Sequence, residues 1–326
     1  MVISTFLPHV GVFGGVRRFI ELGNAWAALG HRVTLYHPSG AAPAWLPYAG
    51  RTAPLDAAAD EHADLALCAD PHTYAAFRAH GAEVHVYYLV IEGDRGLDRA
   101  IADRGVLLAA NSGPLRRSLA RRARRPVIDG AGGINLAQFH PGGPRRALEP
   151  LQVLVNGRRS RPKKGTDLVL AALAGLAGRG PAFEVVLFDA PGADGPGDPA
   201  AGARLPAGAR YVLDPTQDEL AALYRSAHVF VAAERKAGWC NTALEAMASG
   251  AAVVCTRSGT SDFARHGVNA LVVPVRHPLF LRGAISRLLG DPALRERLGA
   301  AGPAAAGPWS WERLAARMLE QVRAAA

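Results

Sequence analysis

The stretch from Val229 to Cys255, VFVAAERKAGWCNTALEAMASGAAVVC, decides the fold. An apolar run, Val229–Ala232, is followed by a loop that contains Gly238, by a helical run over Asn241–Ala248, and by a second apolar run, Ala252–Cys255. Short apolar runs that alternate with helical patterns are typical of parallel strands joined by helices. The stretch therefore predicts a β-α-β unit whose loop lies at the carboxyl edge of a sheet.

The same alternation runs through the rest of the chain and predicts an α/β protein. A proline- and glycine-rich stretch, His140–Pro150, interrupts it as a linker. We expect two doubly wound, Rossmann-like domains facing a central cleft, 1–145 and 146–326, with the final helix, 309–326, crossing back to the first domain. Residues 190–209, rich in Gly, Pro and Ala, predict a surface loop. The other expected elements are strands Val2–Leu7, Val33–His37, Leu65–Cys68, Val84–Val90, Val106–Asn111, Leu151–Val155, Glu184–Phe188 and Tyr211–Leu213, and helices Val16–Leu29, Thr166–Ala177 and Asp218–Ser226.

Composition limits the classes of function. The 326 residues are 49% apolar and 20% charged, which is typical of a globular protein. We find neither an apolar run of the length a membrane span needs nor a signal peptide. The three cysteines are widely separated, which argues against a disulfide scaffold and for a cytoplasmic location.

The positive charge is concentrated in the second half of the chain. Residues 1–140 hold 14 basic and 12 acidic residues, so they carry +2 of the total net charge of +9. The remaining +7 suggests phosphate-bearing partners, either nucleotides, nucleic acid or anionic lipid. The alternative is an arginine bias that reflects genome base composition.

Two strand-to-helix loops are candidates for binding phosphate. Asn156–Gly165 has five basic residues in ten, and such residues at the carboxyl end of a sheet suit a phosphate; the alternative is a solvated basic loop. Gly14 and Gly15 end a glycine-rich turn where helix amides attract anions, although tight packing alone also explains them. The chain lacks a Walker motif, and the absence of an acidic residue after the second strand argues against a nicotinamide site.

The loop and helix after Val229–Ala232 supply further candidates. Asn241 and Thr242 are good N-cap residue types. Glu245 is expected in the first helical turn, where its carboxylate either accepts hydrogen bonds from a ribose diol or closes a capping box. Gly238 allows the loop to turn, and Trp239 is either a core residue or part of a cleft wall.

The run Leu244–Pro274, LEAMASGAAVVCTRSGTSDFARHGVNALVVP, resembles the signature of the family 4 retaining glycosyltransferases of the GT-B fold. That family carries an EAMAxGxPVV segment, then a glycine turn, here Gly259, and a GxxGLLV-like strand. Leu151–Gly165 resembles its donor phosphate loop, and Gly133–Pro141 resembles the segment before its hinge. The likeness extends over nearly the whole chain.

The resemblance implies a GT-B enzyme that transfers a sugar from a nucleotide-diphosphate sugar to a glycan, lipid-linked or small-molecule acceptor. It maps Arg158 and Lys164 onto the two bases that bind the leaving diphosphate, and Glu245 onto the second residue of a glutamate pair. Ala237 takes the place of the first glutamate, and Glu234 lies three residues earlier. The resemblance also implies retention of configuration by front-face attack, without a protein nucleophile. The donor-binding residues it suggests are Gly14, Gly15, Gly238, Trp239, Asn241, Thr242 and Glu245.

Several expectations concern metals, acceptors and partners. The sequence contains no Asp-x-Asp, so we expect no metal or other cofactor. His72 and Glu92 are acceptor-side candidates, each with a structural role as the alternative. Leu115–Arg125 has six arginines in eleven residues, and it is either a site of peripheral contact with anionic membrane or a solvated surface. We expect no nucleic-acid partner. The rival functions are a nucleotide-sugar 2-epimerase on the same fold and a non-enzymatic polyanion or lipid-surface binder.

Overall fold

The computed structural model describes residues 1–143, 150–158, 161–190 and 208–325. Most of the predicted linker and of the predicted loop 190–209 lies outside these ranges. By packing, the chain divides into two units, one of Met1–Gly133 with the chain from Trp309 onward, and one of Ile134–Pro308. The division falls at Gly133, whereas residue 145, where the sequence places the domain boundary, is not among the described residues.

Within residues 1–143, a seven-stranded sheet forms the centre of the first unit. Each pair of neighbouring strands is parallel, and Ile3 pairs with Val33 on one side and with Leu65 on the other. The strands are β1 (Val2–Phe6), β2 (Arg32–Tyr36), β3 (Arg51–Ala53), β4 (His62–Cys68), β5 (Gly81–Leu89), β6 (Leu107–Ala110) and β7 (Ile128–Asp129). Their order in the sheet is β3-β2-β1-β4-β5-β6-β7.

Among the described residues from 150 onward, a six-stranded parallel sheet forms the centre of the second unit. Its strands are β8 (Leu151–Asn156), β9 (Phe183–Asp189), β10 (Arg210–Leu213), β11 (Val229–Ala232), β12 (Ala252–Cys255) and β13 (Leu271–Val272). They lie in the order β10-β9-β8-β11-β12-β13. All residues of β11 and β12 are buried, as expected for strands covered on both faces.

The helices cover the sheets, and some of them begin at recognisable capping signals. Thr216 and Glu219 form a capping box at the start of one helix, and Ser112 accepts a hydrogen bond from Leu115 N–H at the start of another. In chain order the helices are α1 (Gly14–Ala28), α2 (Tyr74–Ala79), α3 (Leu97–Ala102), α4 (Gly113–Ala123), α5 (Thr166–Ala174), α6 (Gln217–Ser226), α7 (Asn241–Ala248), α8 (Pro278–Gly290), α9 (Pro292–Ala306) and α10 (Trp311–Ala325).

Helix α10 completes the core of the first unit. Trp311, Leu314 and Met318 are buried against the apolar face of α1. The indole N–H of Trp26 donates a hydrogen bond to the carbonyl oxygen of Ala315 at 3.2 Å. The last helix therefore packs with the N-terminal part of the chain.

The basic segment Leu115–Arg125 corresponds to α4 and the residues after it. Leu115, Leu119 and Ala123 are buried in the core of the first unit, so the apolar side of the segment is covered by protein. The Arg125 side chain donates to the carbonyl oxygen of Ala100 at 2.9 Å, at the end of α3. Arginines on the other side of the segment remain exposed.

None of the helices in the described ranges has both the length and the apolar composition needed to cross a membrane.

Candidate active site

The second sheet has a topological switch point between β8 and β11, because β9 and β10 extend it on one side and β12 and β13 on the other. Open α/β sheets bind ligands outside the carboxyl ends of the strands at such a point. The loop after β8 contains Arg158 and Lys164, and the loop after β11 contains Glu234 and Gly238. Both predicted phosphate-binding bases therefore lie at the edge of the sheet where a ligand is expected.

Lys164 forms an ion pair that the sequence did not predict. It ends a 3₁₀ turn, Pro162–Lys164, and its Nζ donates to Oε1 of Glu234 at 2.6 Å. The two side chains are 29% and 8% exposed. Burial acts to lower the pKa of Lys164, but the Glu234 carboxylate outweighs it and raises the pKa above its ordinary value. Lys164 is therefore held as a cation at the switch point.

Arg158 supplies a second positive charge close to the first. Burial, opposed by the carboxylate of Asp189, lowers the pKa of Arg158. Asp189 ends β9 and accepts a hydrogen bond from the Tyr211 hydroxyl at 2.9 Å. Burial raises the pKa of Asp189. No sequence motif distinguished Asp189, whose only sequence signal is its position directly after the predicted strand Glu184–Phe188.

The loop after β11 is held by the residues that follow β12. The Thr256 hydroxyl donates to the carbonyl oxygen of Glu234 at 2.6 Å, and Cys240 N–H donates to the carbonyl oxygen of Gly259 at 2.9 Å. Gly259 has a φ of 70°, and a Cβ there would lie 2.8 Å from the Cys240 nitrogen. The glycine turn of the sequence signature therefore has a physical reason, since it lets the two loops touch.

Helix α7 begins differently from the prediction. Its N-cap is Cys240, without a side-chain cap, so Asn241 and Thr242 are its first helical residues rather than caps. Glu245 is in the second turn, not the first, and it accepts a hydrogen bond from the Tyr224 hydroxyl at 2.9 Å. The capping-box alternative is therefore wrong, because the reach to an N-cap requires a residue in the first turn. The Glu245 carboxylate is instead buried.

Two other residues of this region are also largely buried. The Trp239 side chain is 8% exposed, and its ring centroid lies 5.1 Å from that of Phe263, so it packs as a core residue. Gly238 is buried beside it. Oδ1 of Asn241 is buried and has no hydrogen-bond partner among the described residues. Ligand contacts of these residues stay predictions.

The first unit carries the remaining candidates. Gly14 and Gly15 begin α1, so the turn leads directly into the helix, and the nearest atom to a Cβ at Gly15 would be Val90 Cγ2 at 3.8 Å. Packing within the unit therefore does not require glycine at that position. His72 and Glu92 are exposed in loops after β4 and β5. Their acceptor-side role stays a prediction.

Comparisons with solved structures confirm the fold class. Sucrose-phosphate synthase from Thermosynechococcus elongatus is similar with a TM-score of 0.79 and 20% identity, over 100% of both chains. HepE from Anabaena, solved in complex with UDP-glucose, has a TM-score of 0.77 and 14% identity over 99% of this chain and 100% of its own. The chain has the GT-B fold predicted from its sequence.

Sequence comparisons confirm the predicted family resemblance. Residues 150–291 match the family described as "Glycosyl transferases group 1". A D-inositol 3-phosphate glycosyltransferase of Frankia alni is 31% identical over 210 residues, 59% of this chain and 52% of its own length. Its counterpart in Geodermatophilus obscurus is 34% identical over 211 residues, 60% of this chain and 46% of its own. The chain spans about half the length of the curated relatives it matches.

Proposed function

We propose that this protein transfers a sugar from a nucleotide-diphosphate sugar to an acceptor, with retention of configuration. The observation that carries the proposal is the pair of cations, Arg158 and Lys164, at the switch point of the second sheet. The match of residues 150–291 to the group 1 glycosyltransferases supports it. So does the likeness in fold to HepE, which was solved in complex with UDP-glucose.

The proposed chemistry depends on fixed positive charge. As the glycosidic bond to the donor breaks, negative charge develops on the leaving diphosphate, and Arg158 and Lys164 stabilise it where water is partly excluded. We propose that the buried carboxylate of Glu245 accepts hydrogen bonds from a ribose diol. The acceptor attacks from the face that the diphosphate leaves, and the diphosphate takes the proton, so the reaction needs no protein nucleophile. Since both stabilising charges come from side chains, we propose that no metal is needed.

The acceptor side and the location are also proposals. We propose that Gly14 and Gly15 bind the donor, that His72 and Glu92 serve the acceptor, and that the acceptor is a glycan, a lipid-linked saccharide or a small molecule. A cytoplasmic location is supported by the three free cysteines. Peripheral contact with an anionic membrane would be electrostatic, through the exposed arginines of Leu115–Arg125, because the apolar side of α4 is buried.

A ligand screen followed by two variants tests the proposal. A thermal-shift screen of UDP, GDP, ADP and dTDP and their sugars should find one that stabilises the protein, by about 2.7 kcal/mol at 100 times its Kd. Arg158→Ala and Lys164→Ala should lower acceptor-dependent transfer from that donor by about 10²- to 10³-fold. Lys163→Ala is the matched control, because Lys163 is exposed on the same turn. Near-wild-type transfer in both variants, or donor consumption without any acceptor-dependent product, contradicts the proposal.

A further inference from the structure

Arg276 connects the two loops that carry the charged pair of the site. It lies between β13 and α8, outside the signature motifs of the sequence. Its Nε donates to the carbonyl oxygen of Ala233 at 2.6 Å, and its Nη2 donates to the carbonyl oxygen of Pro162 at 3.0 Å. Ala233 immediately precedes Glu234, and Pro162 opens the turn that ends at Lys164. One guanidinium therefore bonds to the backbones of both loops.

The loops also touch each other directly next to this guanidinium. Arg235 N–H donates to the carbonyl oxygen of Lys163 at 2.9 Å. Gly165 has a φ of 75°, and a Cβ there would lie 2.3 Å from the carbonyl oxygen of Ala233 and 2.8 Å from Arg276 Nη2. The backbones of the two loops therefore pack closely beside the Lys164–Glu234 pair.

Arginine suits this position for a geometric reason. Its planar guanidinium donates in fixed, diverging directions and can bind two carbonyl oxygens at once, whereas a lysine ammonium acts as a single point charge. Without Arg276, the carbonyls of Ala233 and Pro162 lose this side-chain donor, and the described parts of the two loops stay joined by the Arg235–Lys163 backbone hydrogen bond and the Lys164–Glu234 pair. The turn that carries Lys164 would then be less firmly placed.

We propose that Arg276 is a positioning residue for the diphosphate site. It fixes the Lys164 turn against the Glu234 loop, so that the ammonium is preorganised for the diphosphate of the donor. Arg276 acts through Lys164 and does not itself touch the substrate. This inference rests on the proposed function, since it concerns the same site.

The experiment measures binding of a nucleoside diphosphate and of its nucleoside by isothermal titration. The probe is whichever of UDP, GDP, ADP and dTDP binds the wild-type protein, compared with the nucleoside that lacks the phosphates. Arg276→Ala should raise the Kd of the diphosphate about tenfold and leave that of the nucleoside within about twofold. Arg276→Lys should behave like Arg276→Ala, because lysine keeps the charge but lacks the planar guanidinium that donates to two carbonyl oxygens at once. It also serves as the test variant if the alanine variant does not fold. Arg287→Ala, an exposed arginine of α8, is the matched control.

A double-mutant cycle with Lys164 separates positioning from a general loss of stability. If Arg276 acts through Lys164, adding Arg276→Ala to Lys164→Ala should change the diphosphate Kd by no more than about twofold. Full additivity, or unchanged diphosphate binding in both Arg276 variants, overturns the inference and leaves the proposed function intact. If no nucleoside diphosphate binds the wild-type protein, the proposed function fails and this inference fails with it.

Discussion

Glu234→Gln should lower the stability of the free protein but strengthen its binding of a nucleoside diphosphate. The change keeps the size of the side chain and removes the charge that faces Lys164 at 2.6 Å. In the free protein the loss of a charge-assisted hydrogen bond lowers stability by about 1.5 to 3 kcal/mol. In the complex, however, the same carboxylate would repel the incoming diphosphate.

The size of that repulsion follows from the geometry of the pair. The Lys164 ammonium donates one proton to Glu234 Oε1 and can donate another to a phosphate oxygen about 2.8 Å away. The tetrahedral angle at the nitrogen then places that phosphate oxygen about 4.4 Å from Glu234 Oε1. Two unit charges at that separation repel each other by about 4 kcal/mol at an effective dielectric constant of about 20. In the variant, Lys164 regains rotamer freedom that it must lose again when the diphosphate binds. This opposes the gain in affinity by up to about 2 kcal/mol. The net expectation is a diphosphate Kd lowered by about tenfold or more.

The assay is thermal denaturation together with isothermal titration of the nucleoside diphosphate. Glu234→Gln should have a lower Tm than the wild-type protein without ligand and a larger Tm increase when ligand is added. Glu296→Gln, which removes an exposed charge on α9, should match the wild type in both measurements. Unchanged or weaker diphosphate binding in a folded Glu234→Gln variant would refute the idea that the diphosphate binds at Lys164.

Other changes test the remaining parts of the proposal. Glu245→Gln should weaken nucleotide binding by about 1.5 to 3 kcal/mol. Tyr224→Phe, which removes only the hydroxyl that donates to this carboxylate, should affect melting temperature more than nucleotide affinity. Equal nucleotide affinity in wild type and Glu245→Gln would contradict the ribose role. Transfer activity should survive EDTA, and a loss that added magnesium or manganese restores would show that a metal is required. Changing the exposed residues Arg117, Arg121 and Arg124 to Gln should reduce co-sedimentation with anionic vesicles at low salt, since each base near such a surface contributes about 1 kcal/mol; wild-type protein that stays in the supernatant would rule out membrane contact.

The sequence predicted the centre of the second unit closely because its central strands are buried on both faces. The bounds predicted for Val229–Ala232, Asn241–Ala248 and Ala252–Cys255 are those of β11, α7 and β12. Strand β7, with only two residues, is too short to give a periodic signal. Helices α8 and α9 were not predicted either, although they have 13 and 15 residues.

The contacts within the site could not be read from the sequence. Lys164 and Glu234 are separated by 70 positions, and only the order of the strands brings their loops together. The N-cap of α7 depends on backbone angles at Cys240, so residue preference alone pointed to Asn241 and Thr242. Arg276 donates to backbone carbonyl oxygens. Every residue has such an oxygen, so the residue types of its partners give no sequence signal.

The position of α10 has a consequence for how the chain folds as it is made. Residues 134–308 form their unit from one continuous segment, whereas the first unit needs Trp311, Leu314 and Met318 to fill the space against α1. A ribosome releases the N-terminal strands long before it makes those residues, so the apolar face of α1 stays uncovered throughout synthesis of the second unit. Although domains generally fold in the order in which they are made, here the unit that emerges first is the one completed last.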